Sequence, residues 1–381
     1  MEKNRKNIMI VSYIMFAYMG IAFLSQGALK LEIAKSFGIT TSELQYLFTI
    51  FSTASMIMVV SNKFLLEKIS IKMEILASSL SILIGVFLMV LSTNTNFLMI
   101  GLTLGGLGIG IYISLASYLI INTFSEDRNR KLNFLHFTYS LSAVLTPMIA
   151  AILIGLNLSW NIVYIILLSF VVFVMILGAK TDFREITPKK EEVEVKSESK
   201  WGIRVYLSAL LLFLYVFSEM IFSYWIVEYM IDKGARGGEA KISLSIFWLF
   251  IAIGRFLVGK YGNKFKVSDI VVFLLTVSFI SYFSLMFLDG VFGIYVLVGI
   301  LGLGFSSLYP SIVSLGTEDK KNVSPSLMTF IMMSGSIGGI AYSPISGWIN
   351  SNYTIEITMG VGVITTLLML LIGIILKLKN K

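Results

Sequence analysis

Residues 75–125 read ILASSLSILIGVFLMVLSTNTNFLMIGLTLGGLGIGIYISLASYLIINTFS and contain no charged side chain. A membrane-spanning helix needs about 20 apolar residues, so this stretch is long enough for two. One polar cluster, Thr93-Asn94-Thr95-Asn96, divides it near the middle. The stretch therefore predicts two membrane spans joined by a tight hairpin, which makes the chain an integral membrane protein.

The rest of the chain repeats this pattern. Residues 132–179 are also free of charge and divide at the polar turn 157–161. Charged residues make up only 14% of the 381 residues, whereas soluble domains carry about 25%. All spans are predicted to be helical, because an open strand edge is not stable in hydrocarbon. The sequence thus predicts an all-α protein with twelve transmembrane helices, near 8–30, 44–63, 73–92, 97–124, 132–156, 160–179, 204–231, 241–261, 268–288, 291–316, 325–349 and 354–377.

The basic residues predict the orientation of these spans. With the N-terminus inside, 25 of the 30 Lys and Arg residues fall in the inner loops and termini. Short cytoplasmic loops carry such an excess, so we predict a multi-pass protein of the cytoplasmic (inner) membrane with both termini cytoplasmic. The same distribution accounts for the net charge of +8 without a nucleic-acid partner. The apolar run from Ile8 predicts an uncleaved first span.

A polar segment rich in Lys and Glu divides the chain after the sixth span. It predicts a solvated cytoplasmic linker, 181–203, between two six-helix bundles, 1–180 and 204–381. Motifs in the two halves also correspond at offsets of 196 or 197 residues. Two such pseudo-symmetric bundles are typical of transporters that bind their solute near the membrane midplane. The corresponding motifs are Lys63-x-x-x-Glu67-Lys68 with Gly259-x-x-x-Asn263-Lys264, Gly106-Leu-Gly-Ile-Gly110 with Gly302-Leu-Gly-Phe-Ser306, and Pro147 with Pro344.

Three segments carry a resemblance to a known family. Residues 63–72, KFLLEKISIK, resemble the Gly-x-Leu-x-Asp-Arg-x-Gly-Arg-Arg loop of the major facilitator superfamily, with Lys63 and Ser70 in place of its glycines. Residues 215–229, YVFSEMIFSYWIVEY, are similar to the seventh span of its fucose/hexose permease branch, and 132–147 to its fifth span. Residues 200–203, 304–307 and 324–326 are similar to a narrower group, the TsgA-type proteins.

The resemblance covers nearly the whole chain and implies the major facilitator fold. It implies no established substrate. Sugar permeases of this branch that couple to protons carry acidic residues in the first and fourth spans. Gly27 and Ile113 stand at those places here, so the resemblance does not carry the sugar-symport mechanism over to this chain.

Glu219 in the seventh span is the main candidate for substrate binding or coupling. A charge at the bilayer centre costs about 2.5–3.5 kcal/mol on insertion scales, so it is seldom without a role. Tyr215 and Ser223 lie four residues before and after it, on the same face of a helix. This face suits a carboxylate that takes up and releases a proton. The alternative is a protonated Glu that only bonds neighbouring helices together.

Five further residues are candidates for a polar binding cavity, and three of them also have a structural alternative. Gln26 either binds a polar solute or ties two helices together. His136, near Tyr139, either relays protons or forms hydrogen bonds at an inner gate. Trp225 either stacks on a sugar or anchors the helix at the membrane interface. Ser334 adds a hydroxyl group to the predicted cavity.

A second group of residues is predicted to form an inner gate. Charges and helix ends in the cytoplasmic loops of the two halves would contact each other there. The alternative is that these charges only determine topology, and for Arg255 that it links the eighth span to the inner loops. The group consists of Glu67, Lys68, Lys72, Asn263, Lys264 and Arg255.

The sequence argues against enzymatic chemistry. One His and no Cys make a metal site implausible, and no cofactor is predicted. The glycine-rich runs 105–110 and 334–339 lie within apolar spans, which predicts close helix packing rather than a phosphate loop. A receptor or sensor would predict a folded soluble module, for which the linker is too short.

We therefore predict a secondary active transporter, a monomer, working by alternating access. It would move a small, sugar-like or otherwise polar solute across the bilayer, with proton coupling through Glu219. Export of amphipathic or toxic compounds is the alternative. The substrate, the direction and the coupling ion remain open at this stage.

Overall fold

The computed structural model describes residues 2–66, 68–91, 94–124, 128–186, 201–317 and 325–379. The chain forms two compact units, Met1–Val193 and Glu194–Lys381. Every regular element in the described ranges is a helix. This agrees with the all-α prediction, and its cause is that a helix satisfies its backbone hydrogen bonds internally, which hydrocarbon demands.

In the described residues, the first unit contains seven α-helices and one short 3-10 helix, Arg184–Ile186. α1 lies centrally, since it packs against α5, α6 and α7, while α5 also packs against α3 and α4. The short α2 follows α1 directly and ends at Gly38, which has a left-handed backbone conformation. The helices are α1 (Glu2–Ala28), α2 (Lys30–Phe37), α3 (Thr41–Leu66), α4 (Ile71–Leu91), α5 (Thr95–Thr123), α6 (Arg128–Gly155) and α7 (Trp160–Lys180).

The second unit is organised around its first helix. α8 packs against α9, α12, α13 and α14, and α11 packs against α9 and α10. The helices are α8 (Ile203–Asp232), α9 (Gly237–Tyr261), α10 (Val267–Leu285), α11 (Val291–Phe305), α12 (Leu308–Thr317), α13 (Pro325–Asn352) and α14 (Ile355–Leu378).

Within the described residues, eleven helical segments are long and apolar enough to cross a membrane, with α11 and α12 together forming one of them. The predicted span 325–349 corresponds to α13, whose 28 residues span about 42 Å. Serine and glycine residues make α13 less apolar than the other segments. Large apolar side chains such as Leu91 and Phe292, each 80% exposed, lie on the outer surfaces, as expected of surfaces that face lipid.

The same close contact between two helices occurs inside each unit. A Cβ atom at Gly106 in α5 would collide with the carbonyl oxygen of Phe51 in α3, and one at Gly302 in α11 would collide with that of Phe247 in α9. Gly106 and Gly302 are 196 residues apart in the sequence, and so are Phe51 and Phe247. The glycines thus allow the same pair of helices in each unit to approach closely.

Replacing Gly106 by Ala is expected to lower the free energy of unfolding by about 1–3 kcal/mol, because the methyl group forces α3 and α5 apart. Thermal melting of the purified protein measures this change. Gly360→Ala in α14 is the matched control, since no atom lies within 4 Å of its added Cβ. Equal melting temperatures for the two variants would contradict the close contact.

The beginning of the predicted linker is packed against the first unit. Asn4 and Asp182 are joined by two hydrogen bonds of 2.7 and 3.0 Å, and Phe183 and Ile186 are buried. Arg184 bonds to the Asp182 carboxylate and lowers the pKa of that carboxyl to about 2. The predicted linker therefore begins with a segment, 181–186, whose apolar side chains are buried against the first unit. Residues 187–200 lie outside the described part of the chain.

Candidate functional site

Glu219 lies in the middle of α8 and is only 6% exposed. The hydroxyl group of Tyr215 donates a hydrogen bond of 2.5 Å to its Oε1 atom. Four residues separate the two, so the helix itself places them side by side. Tyr215 is completely buried, and the carboxyl group therefore has a fixed polar partner inside the unit.

Tyr215 and Glu219 lie beside a break between two helices of the same unit. α11 ends at Phe305, and α12 begins at Leu308. Pro310 has no N–H group, so it cannot bond to the carbonyl oxygen of Ser306, four residues earlier, and its ring crowds that carbonyl. The carbonyl groups at this end of α11 therefore need other donors.

Side chains from α8 and α9 supply those donors. Tyr215 Oη lies 3.2 Å from the carbonyl oxygen of Phe305, and Arg255 Nε donates to the carbonyl oxygen of Ser306 at 2.9 Å. Gly254 precedes Arg255, and the absence of a side chain there lets Ser306 approach α9 closely. A cation at the C-terminal end of a helix is also favoured by the helix dipole.

Arg255 connects the break with the carboxyl group. Its guanidinium group also donates to the hydroxyl oxygen of Tyr215 and lies close enough to Glu219 for electrostatic attraction. The rings of Phe305 and Tyr309 surround Tyr215, with centroids at 5.6 and 6.3 Å. We call Tyr215, Glu219, Arg255 and the Phe305–Ser306 carbonyl groups the carboxyl cluster.

Arg255 is predicted to belong to the inner gate, and in the structure it is part of the carboxyl cluster. The gate assignment followed from its position near the inner end of the eighth span. The sequence held a different signal: Pro310 leaves the Ser306 carbonyl oxygen without a backbone donor, and an arginine within a neighbouring span is a suitable donor. The packing of α9 on α11 was needed to connect them.

The other candidates in the second unit lie on α8, where they are buried, and on α13, where Ser334 is half-buried. Ser223 lies one turn beyond Glu219, and its hydroxyl group has no hydrogen-bond partner among the described residues. Trp225 is fully buried within this unit. The Ser334 hydroxyl group, which has a single hydrogen, lies 2.7 Å from the carbonyl oxygen of Ala209 and 2.6 Å from that of Ile331.

In the first unit, Gln26 lines a small cavity with Tyr18, Ser25 and Tyr164. The volume open to the centres of water molecules in this cavity is about 30 Å³, which is enough for about two waters. Ser25 donates to the hydroxyl oxygen of Tyr164 at 3.2 Å. The cavity is therefore too small for a sugar in this conformation.

His136 and Tyr139 lie on α6, away from this cavity. The His136 ring is exposed on the unit and packs edge-on against Phe16, with centroids 5.0 Å apart. Tyr139 contacts the same ring at 6.4 Å. His136 and Tyr139 thus lie on the same face of α6, as their spacing of three residues predicts. This face contacts Phe16 of α1.

Three of the predicted gate residues have described side chains besides Arg255. Lys68 and Lys72 are exposed at the start of α4, and Lys264 is exposed after α9. The Lys264 ammonium group lies 5.7 Å from the centre of the Tyr261 ring. Glu67 and the side chain of Asn263 lie outside the described residues.

The chemistry of the carboxyl cluster is that of proton binding and hydrogen bonding. Among the described residues, no group of three or more His, Cys, Asp or Glu side chains lies close enough to hold a metal ion. A buried carboxyl group, a phenol and a guanidinium group in contact can exchange and stabilise a proton without one.

Residues 10–324 match the Major Facilitator Superfamily, and the chain belongs to this superfamily. The protein is therefore a multi-pass membrane transporter for a small-molecule solute and not an enzyme, as the sequence predicted. The prediction of the major facilitator fold is also confirmed.

The protein TsgA homolog of Edwardsiella ictaluri is 24% identical over 99% of this chain and 97% of its own length, which confirms the resemblance to TsgA-type proteins. Two solved structures share the fold. A bacterial homolog of the human lysosomal transporter Spinster has a TM-score of 0.80 at 12% identity, over 98% of this chain and 97% of its own. The superfamily transporter FucP has a TM-score of 0.66 at 18% identity, over 97% and 98%.

Proposed function

We propose that the protein is a secondary active transporter that takes up a small polar solute by alternating access, with proton coupling through Glu219. Sugar-like compounds are the first class to test. The protein works as a monomer in the cytoplasmic membrane with both termini inside. Its two bundles are residues 1–180 and 204–381, joined by 181–203, and the exposed Lys68, Lys72 and Lys264 serve the inner gate with Glu67 and Asn263.

The observation that carries this proposal is the carboxyl cluster. Moving a carboxylate into hydrocarbon is costly, and here the cost is offset by a phenol donor at 2.5 Å and a guanidinium group nearby. Both partners stabilise the ionised form, while burial stabilises the protonated form. A group with such opposed influences is suited to bind a proton in one state of the transport cycle and release it in another.

The neighbouring hydroxyl group supports a polar solute. Ser223 is 1% exposed, and its hydroxyl group has no partner among the described residues. A buried hydroxyl group without a partner costs about 1–3 kcal/mol. A solute that bonds to it during the cycle would recover this energy.

Export of amphipathic or toxic compounds is the second candidate. The rings of Tyr215, Phe305 and Tyr309 beside Glu219 favour it, because aromatic rings and a carboxylate attract organic cations. Arg255 argues against it, since it already supplies a cation to the same cluster. We therefore place uptake of a polar solute first.

Vesicles containing the purified protein test the proposal. An inward proton gradient should drive accumulation of at least one member of a panel of neutral sugars, amino acids and small organic acids, and a protonophore should abolish it. Proton-driven extrusion of ethidium without any uptake would favour the exporter. Accumulation that persists after the protonophore would contradict proton coupling.

A further inference from the structure

The hydroxyl group of Tyr215 has one hydrogen atom and lies near two acceptors. Glu219 Oε1 is 2.5 Å away and the Phe305 carbonyl oxygen 3.2 Å away. A single O–H group forms a strong bond to only one acceptor at a time. The charge on Glu219 therefore determines which of the two receives this hydrogen.

We infer that Tyr215 transmits the protonation state of Glu219 to the break between α11 and α12, by turning its hydroxyl hydrogen from the carboxylate to the Phe305 carbonyl group. This inference rests on the proposed coupling role of Glu219. It assigns Tyr215 as a positioning residue and the 305–307 segment as the element that responds to the proton. The comparisons and the fold assign neither role.

The hydrogen atoms balance in both states. With Glu219 ionised, Tyr215 donates to Oε1 and accepts a hydrogen bond from Arg255. When a proton from water binds the carboxylate, the new Glu219 O–H donates to the Tyr215 oxygen, and the Tyr215 hydrogen turns to the Phe305 carbonyl. The phenol oxygen has two lone pairs, so it accepts from Glu219 and Arg255 together.

The helix break makes this exchange consequential. An unbroken helix would hold both carbonyl groups by its own backbone N–H groups. Here Pro310 removes one such donor, and α11 ends at Phe305, so side-chain donors stabilise this end of the helix. A hydrogen bond from Tyr215 to the Phe305 carbonyl oxygen strengthens the contact between α8 and the break, and loss of this bond weakens the contact.

The charged and titratable groups around the pair are few in the described residues. α9 contributes Arg255 and α12 contributes Tyr309, and both residues interact electrostatically with Glu219. α13 brings Tyr342, which contacts Tyr224 instead. The ionisable residues of α14 pair elsewhere, Glu356 with Lys233 and Lys377 with Asp269. The response to pH at the break is therefore attributed to Glu219.

The absence of native cysteine allows a direct test. Val296→Cys in α11 and Ser314→Cys in α12 place spin labels at exposed positions on either side of the break, about 27 Å apart along the helix. Pulsed electron paramagnetic resonance in lipid nanodiscs measures their separation during an acid-to-alkaline titration. The expected result is a shift of about 1–2 Å, the size of ordinary helix movements.

Three variants complete the experiment. Tyr215→Phe and Glu219→Gln should each remove the shift, while Tyr224→Phe, the same change in a buried tyrosine of α8 that contacts Tyr342 instead, should retain it. A shift that survives in Tyr215→Phe overturns the role of Tyr215. No shift in the labelled parent protein also overturns it. Proton-driven uptake by the same protein in vesicles then shows whether Glu219 coupling still stands.

Discussion

Glu219→Gln is expected to abolish accumulation of the solute against its gradient while exchange of the solute between the two sides continues. Glutamine preserves the size and the hydrogen bond to Tyr215 but cannot take up or release a proton. Downhill exchange needs only solute binding and movement of the protein, whereas accumulation needs the proton. Paired assays of proton-driven uptake and of counterflow in vesicles separate the two.

The control for this prediction is Glu228→Gln, a second glutamate of α8 nine residues further along the same helix. It should accumulate the solute like the parent protein. Parent-like accumulation by Glu219→Gln would remove the residue from the coupling mechanism. Loss of counterflow together with accumulation would make Glu219 a solute-binding residue instead.

Arg255→Met is expected to destabilise the protein by about 2 kcal/mol, because hydrogen bonds to a charged group contribute about 1.5–3 kcal/mol. The change leaves the Ser306 carbonyl oxygen without its donor at 2.9 Å and removes the cation beside Glu219. Denaturation of the purified protein followed by fluorescence measures the loss. Lys260→Met, which removes an exposed charge from the same helix, should change stability by far less.

A double-mutant cycle shows whether Arg255 compensates the carboxyl group. The Glu219→Gln variant has no carboxylate for Arg255 to stabilise. Arg255→Met should therefore lower the free energy of unfolding by less in this variant than in the parent protein. Coupling between contacting charged residues amounts to about 0.5–3 kcal/mol. Strict additivity of the two changes would contradict the electrostatic link and leave Arg255 as a donor to the helix break alone.

The sequence predicted those features that depend on local spacing. The pairing of Tyr215 with Glu219 follows from four residues of helix, and the spans follow from stretches without charge. The correspondence of Gly106 with Gly302 predicted that the two halves are repeats, and both glycines lie at the same contact in their units. Periodicity and composition are sufficient for such predictions because the membrane permits few alternatives.

Features that depend on packing between distant segments were missed. Arg255 and Ser306 are 51 residues apart, and no periodicity connects them. Pro310 was the available signal, since it removes the donor for Ser306. The apolar residues Phe183 and Ile186 likewise indicated that 181–186 would pack, but the polar residues around them dominated the prediction.

The same limit applies to the size of a cavity. Gln26 was correctly expected to lie inside a span, yet only packing shows that its cavity holds about two waters. The spacing of His136 placed it on one face of α6 but could not show that this face is exposed. Side-chain volume in three dimensions is not encoded in the spacing of one helix.

We propose that the Glu219 carboxyl group takes up a proton while it is buried in the membrane. Infrared spectroscopy of the protein in lipid measures this directly, through the carbonyl stretching band of a protonated carboxyl group as the pH is lowered. We predict a band that grows on acidification and is missing from the difference spectrum of Glu219→Gln. A pH-dependent spectrum that is identical in the two proteins would contradict the account.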